Sequence, residues 1–140
     1  MDTLAAMLEF ELLWDGDPED LLVTTWGAAT PEGIRAHREA INENERLRPG
    51  MLILIDHRRL DWSGMSTPEI RAQSALFPRD AERLGAASLA VVMGSSVDYG
   101  LMRMLHAQIP GNMQLDAAIF TTIEDARAWL ADRRRDVSGA

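Results

Sequence analysis

Two short stretches hold most of the side chains that could do chemistry. "LIDHRR" (Leu54 to Arg59) sets Asp56, His57 and Arg58 in a row where an apolar run ends. "GSSVDYG" (Gly94 to Gly100) follows a second apolar run and offers Ser95, Ser96, Asp98 and Tyr99, with Arg103 one helical turn past Tyr99. Ligand crevices of α/β folds form at the carboxyl ends of neighbouring parallel strands. On that geometry Asp56, His57, Arg58, Ser95, Ser96, Asp98, Tyr99 and Arg103 share one rim, facing a ligand or a partner. Free N–H groups at a helix start, together with an arginine, suit a small anionic or polar ligand. The same residues also suit plain structure, with Ser96 or Asp98 as a helix cap, Arg58 paired with an acid and Tyr99 packed on Arg103.

Most reactive chemistries find no support. The chain has no cysteine, so it offers no thiolate ligand, thiol nucleophile or disulfide. All 14 basic residues are arginine, which excludes a Schiff-base lysine and the lysine of a P-loop. "GSSVDYG" fits neither glycine-rich nucleotide pattern. His37, His57 and His106 stand at no ligand spacing, so no metal is expected. Serine, histidine and aspartate are present, but the strand-GxSxG-helix elbow is missing. The expectation is a protein with no enzymatic activity and no cofactor.

Net charge is −8, and it is unevenly spread. Residues 1–32 contain Asp2, Glu9, Glu11, Asp15, Asp17, Glu19, Asp20 and Glu32 and no base, whereas the acids and arginines of the rest cancel. An acidic edge argues against nucleic acid and anionic membrane partners. No apolar run approaches the ~18 residues of a spanning helix. "MDTLAAMLEFELLWDGD" lacks the basic start of a secretory signal, so a cytoplasmic location is expected.

Elements that could position the two stretches are legible in the pattern. "MLEFELLWD" (Met7 to Asp15) partly alternates, as a half-exposed strand does, and "GDPED" is a turn before the β-rich "LLVTTWG" (Leu21 to Gly27). Thr30-Pro31-Glu32 opens a helix that reaches about Asn44, with Ile34, His37 and Ile41 on one face. "MLILID" (Met51 to Asp56) and "SLAVVMG" (Ser88 to Gly94) are continuous apolar runs, the mark of strands covered on both faces. Thr67-Pro68-Glu69 repeats the cap signal, and Pro78 should end or kink that helix before a short one to Arg83. After Ser96, Leu101, Met104, Leu105 and Gln108 fall on one helix face. "MQLDAAIF" (Met113 to Phe120) is the last strand, and Thr121 with Glu124 forms a capping box before a helix striped by Ile123, Ala126, Trp129 and Leu130. Residues 1–133 read as one domain and 134–140 as a flexible tail. The order β-β-α-β-α-β-α-β-α predicts an α/β fold: a mostly parallel five-stranded sheet with an N-terminal β-hairpin and about four helices.

This order, with "VDYGLMRM" (Val97 to Met104), "LILIDHRRLD" (Leu52 to Asp61) and "FTTIEDARAWL" (Phe120 to Leu130), resembles the SpoIIAA-like family, also described as STAS/SEC14-like. The likeness spans about residues 7–131. It implies a β-α domain, often dimeric, with no settled enzymatic activity, related in fold to anti-sigma-factor antagonists. Those antagonists carry a phosphorylated serine after the strand that matches Met51–Asp56. Here the matching segment is "LDWSGMSTPE", which makes Ser63 the possible phosphosite, although Trp62 replaces part of the Asp-Ser-Ser setting.

Met102, Met104 and Met113, near Leu101, Leu105 and Ile109, suit core packing or a groove for an apolar, lipid-like ligand. Trp14 and Trp26 could mark an association face, with Glu9, Glu11 and Asp15 guarding the strand edge. Together these features favour a non-catalytic regulatory or protein-interaction module, expected as a homodimer. The alternative is a carrier or sensor of a small apolar or anionic ligand.

Overall fold

Alternating apolar strands and capped helices build one five-stranded sheet with helices on both faces. The computed structural model describes residues 8–74, 87–107 and 116–138. The strands are β1 (Glu9–Trp14), β2 (Leu21–Ala28), β3 (Leu52–Asp61), β4 (Ser88–Met93) and β5 (Asp116–Phe120). The helices are α1 (Pro31–Asn42), α2 (Thr67–Ser74), α3 (Ser96–Ala107) and α4 (Ile123–Ser138). β1 and β2 form an antiparallel hairpin registered from Glu9 opposite Trp26 to Trp14 opposite Leu21. The other pairs are parallel, and the spatial order β1-β2-β3-β4-β5 is the chain order.

That simple order decides where the helices go. Crossovers between parallel strands are right-handed, and three successive crossovers in one direction put their helices on one face. α1, α2 and α3 are the helices of these crossovers. α4 follows the last strand, crosses nothing, and packs instead over β4, β3 and β5 from the opposite face. The strand alternation matches both covers. Leu21, Val23, Ile53, Ile55, Leu89, Val91 and Met93 turn toward α1 and α3, where Ile41 and Met102 meet them. Beside them Ala29, Ile34, Leu60, Met65 and Ile70 form a second cluster under α1 and α2. On the other face Leu52, Leu54, Ala90 and Val92 pack against Ala126 and Leu130 of α4.

One irregularity matters for the site. Thr24 pairs with Asp56 but Trp26 pairs with Arg59, so Thr25 alone faces both His57 and Arg58. This bulge resets the alternation of β3, and His57 and Leu60 end on the same side of the sheet. The chain just beyond β4 passes very close to it. A Cβ on Gly94 would stand 2.5 Å from the Arg58 carbonyl oxygen, a distance only glycine avoids.

Several expectations change. β3 continues through His57, Arg58 and Arg59 to Asp61, because β2 pairs with it as far as Ala28. Asp56 is therefore inside a strand, not at its carboxyl end. The caps each sit one residue earlier or later than expected: Ser66 with Glu69 for α2, Ser95 for α3 and Thr122 for α4. Each start carries two hydroxyl residues in tandem, and the one just outside the helix is the one whose oxygen reaches an N–H three residues on. Thr30 is the cap of α1, as expected. The C-terminal residues 134–138 are not a tail but the last turns of α4. Arg134 bonds the Pro18 carbonyl and Asp20, and Arg127 bonds buried Glu19, so α4 clasps the acidic β1–β2 turn. The proposed break at Pro78, the short helix to Arg83, and Gln108, Ile109, Met113 and the side chains of Leu105 and His106 lie outside the described residues.

Candidate functional site

The sheet face under α1, α2 and α3 does not fill. Ile53, Ile55, Leu89 and Val91 floor a cavity of about 110 Å³, walled by Ile34 and Ile41 of α1, Ile70 of α2 and Met102 of α3. Met65 and Trp62, from the connection before α2, complete the wall. A cavity of roughly 150 Å³ lined by Leu, Ile and Phe stays dry and takes up benzene, so this space is of a size to hold a small apolar group. Arg38, Asn42 and Gln73 line it too, and all three are half-exposed, which places the mouth between α1 and α2. There Arg38 Nη1 donates to Gln73 Oε1 at 2.7 Å.

A row of rings starts at Phe10 and continues into the cavity wall. Phe10 and His37 meet edge-on at 5.5 Å between centroids, His37 and His57 lie 5.7 Å apart, and His57 meets Trp62 edge-on at 5.5 Å. Each arrives by ordinary local rules. His37 occupies the inward stripe of α1 between Ile34 and Ile41. His57 takes the next inward position of β3 after Ile53 and Ile55, and Trp62 follows where the strand ends.

Burial controls the chemistry of the two imidazoles. It lowers the His37 pKa to about 4, helped by the neighbouring Arg38 cation. It lowers that of His57 to about 3, with His37 adding to the effect and the Asp56 charge opposing it. Both are neutral at pH 7. Thr25 Oγ1 lies 2.7 Å from His57 Nδ1 and 3.2 Å from the Asp56 carbonyl oxygen. The carbonyl can only accept, so both contacts hold when the hydroxyl donates to it and His57 Nδ1–H donates to Thr25. That fixes the tautomer of His57. By contrast, His37 Nε2 and Trp62 Nε1 are buried with no hydrogen-bond partner. Leaving such a group unsatisfied costs about 1–3 kcal/mol, and a native structure that keeps one has a reason to.

The rim expected from sequence divides across the sheet. Asp56 and Arg58 stay together on the α4 face, where Arg58 Nε and Nη2 each reach the Asp56 carboxylate at 2.9 Å and the Arg58 N–H adds a bond of 3.0 Å. Burial pushes the Asp56 carboxyl up, but these Arg58 bonds outweigh it and hold the group below the usual carboxylate range. His57, the next residue, points to the opposite face. Ser95 Oγ accepts the Asp98 N–H as a cap, Ser96 is exposed, and Tyr99 OH accepts from Arg103 Nη1 at 2.9 Å. Ser63 is exposed, and its N–H donates to Asp61 at 2.9 Å. Sequence reading placed His37 on a buried stripe but gave it no task, and passed over Thr25 and Trp62 as site residues. The stripe was the available signal for His37; nothing in the sequence announces the bulge that pairs Thr25 with His57. Among the described residues no cluster of three or more His, Asp or Glu could hold a metal ion, and no helix is long and apolar enough to cross a membrane.

Comparison with known proteins bears on the architecture alone. No family model matches the sequence, and no curated protein does. Among solved structures, the crystal structure of an uncharacterized DUF3478-family protein from Shewanella loihica PV-4 superposes with a TM-score of 0.58. The match covers 89% of this chain and 94% of that one at 17% identity, and that protein is described as having a SpoIIAA-like fold. The fold here is SpoIIAA-like. The resemblance drawn from the strand and helix order is thereby confirmed for the architecture, and at this identity it extends no further. The SpoIIAA-like sheet carries a cavity on its three-helix face, and function is argued from that cavity.

Proposed function

We propose that this protein is a non-catalytic binding module that takes a small, mainly apolar molecule between its sheet and helices α1, α2 and α3. The supporting observation is the cavity of about 110 Å³, floored by Ile53, Ile55, Leu89 and Val91, whereas protein interiors in general are close-packed with few voids larger than a water molecule. A carrier or sensor needs such a space, and an interaction module that works through its surface does not. Native mass spectrometry and ligand-detected NMR on purified protein test the reading. A retained small molecule, or saturable uptake of benzene-sized probes, supports it. A protein that takes up none of them at millimolar concentration refutes it.

A protein-contact role has its own support on the other face. α4 covers β3 to β5 and reaches Leu22 of β2, and among the described residues no helix packs over the outer side of β1. Leu13 stands there 50% exposed beside Glu9 and Glu11, and Arg59 lies over the Trp26 ring at 5.5 Å. Half-exposed aromatic and apolar residues rimmed by charge suit a partner surface, including that of a second copy. Sedimentation of the wild type against Leu13→Glu tests it: a dimer that the variant dissociates supports self-association, and a monomer at every concentration removes it.

A further inference from the structure

We infer that the molecule held in the three-helix cavity ends in a neutral hydroxyl, as an alcohol or phenol does, and is not an anion. This rests on the cavity reading above and adds to it the chemistry of the ligand's polar end.

Two buried nitrogens on the cavity wall lack partners, His37 Nε2 and Trp62 Nε1. An indole N–H can only donate, so Trp62 needs an acceptor. A neutral imidazole nitrogen donates in one tautomer and accepts in the other, so His37 needs whichever function its tautomer lacks. A hydroxyl does both, and it satisfies either nitrogen without an imposed tautomer. A ketone serves Trp62 alone, and a hydrocarbon serves neither. Both nitrogens are shielded by their neighbours, so a bound oxygen reaches either of them only where the ring turns toward the cavity.

Among the described residues an anion finds no counter-charge inside. His37 and His57 line the cavity as rings that burial keeps neutral at pH 7, with Arg38 further opposing protonation of His37 and His37 opposing that of His57. Arg38, the cation among the described lining residues, stands at the mouth with its guanidinium engaged by Gln73. Apart from Asn42 at the mouth and Trp62, the other described walls are Ile, Leu, Val and Met, where an unpaired carboxylate is strongly disfavoured. The cavity therefore selects a neutral hydrogen-bonding end over both a charged end and no polar end.

The experiment compares probes of one shape. Benzene, phenol and benzoate are titrated into the ¹⁵N-labelled full chain at pH 7.5, and 1-hexanol and hexanoate repeat the comparison for an open chain. Affinity is read from amide shifts and hydrogen bonding from the Trp62 indole N–H resonance, assigned with Trp62→Phe. Phenol is expected to bind at least tenfold tighter than benzene and to move the indole resonance downfield. Benzoate and hexanoate are expected to bind at least tenfold more weakly than phenol and 1-hexanol. In His37→Phe or Trp62→Phe the preference for phenol over benzene should shrink several-fold while benzene still binds. Equal affinity for phenol and benzene, or tight binding of benzoate, overturns the hydroxyl assignment and leaves the cavity reading standing. Binding of no probe at all overturns the cavity reading and this inference with it.

Discussion

The two faces of this sheet are built from alternate residues of the same strands, yet they pack in opposite ways. Under α4, Leu54, Ala90, Val92, Ala126 and Leu130 are all completely buried, and the charged groups on that face are met by ion pairs, Arg58 with Asp56, Arg127 with Glu19 and Arg133 with Asp116. Under α1, α2 and α3 the inward residues include His37, His57, Thr25 and Trp62, and a cavity remains. A single helix that closes no crossover can settle flush on the sheet. Three crossover helices are each tethered to two strands, and the seam between them is where space is left. One half of the strand pattern thus holds the fold together while the other holds a space open.

Acid should separate the two faces most strongly. Both histidines titrate lower in the folded chain than the 6.5 of an ordinary imidazole, at about 4 and about 3. The unfolded chain therefore takes up protons first. Stability is complete above about pH 6.5 and falls as pH drops toward the folded values. At pH 5 the expected loss is about 2 kcal/mol for each histidine, or about 4 kcal/mol together. Asp56 does not intrude on this window, because a carboxyl held below its usual range gives up its contribution only at lower pH. Urea denaturation at pH 7.5, 6 and 5 measures the slope, and a stability that stays level to pH 5 would falsify the account of the histidine face.

Truncating one residue on each face comes next in size. Leu54 is fully buried in the close-packed half, so Leu54→Ala should cost about 3 kcal/mol through lost contacts and a new void. Met102 is half-buried on the wall of a space that already exists, so Met102→Ala should cost only about 1 kcal/mol. Chemical denaturation of the pair tests the contrast directly. Equal losses would mean that the two faces are packed alike.

The ion pairs at the α4 margin should matter less than its core. Glu19 is 2% exposed and its carboxylate is held by Arg127 Nε and Nη2 at 3.2 and 2.9 Å. Arg127→Ala strands that carboxylate, for an expected loss of about 2 kcal/mol, moderated because the arginine itself is partly in solvent. Adding Glu19→Gln should recover part of the loss, since an amide is cheaper to leave unpaired than a charge. A double variant no better than Arg127→Ala would show that the arginine acts through its packing on α4.

These contrasts also explain how much could be read in advance. Strand and helix order was legible because Leu52–Ile55 and Leu89–Val92 are apolar on both faces and because Thr30 marks a helix start with little ambiguity. The α4 stripe of Ala126 and Leu130 was legible for the same reason. The site was not, because it depends on which way single residues turn. Asp56, His57 and Arg58 look like one cluster in the sequence, but successive strand residues face opposite sides, so one went under α1 and two stayed on the α4 face. The bulge at Thr25 resets that alternation through backbone pairing, which leaves no mark on composition. Acids crowded into residues 1–32 suggested a repelling edge, whereas α4 reaches back from the far end of the chain to neutralise Glu19 and Asp20.

The smallest expected effect at neutral pH is the most pointed test of what the histidine face is for. His37→Phe keeps an aromatic ring between Phe10 and His57 and removes the unpartnered nitrogen. Replacing a buried polar group that has lost its partner with an apolar one of similar shape is close to neutral, so the change at pH 7.5 should stay within about 1 kcal/mol. At pH 5 the variant should be the more stable protein by about 2 kcal/mol, because one of the two groups that drive acid loss is gone. The cost of keeping His37 is then visible as stability given up in mild acid with no hydrogen bond made by its buried Nε2 in return. A residue that weakens its own fold in this way makes sense when something that binds beside it restores the balance. If His37→Phe instead destabilises by several kcal/mol at pH 7.5, His37 is an ordinary packing residue, and the difference between the two faces is one of density alone.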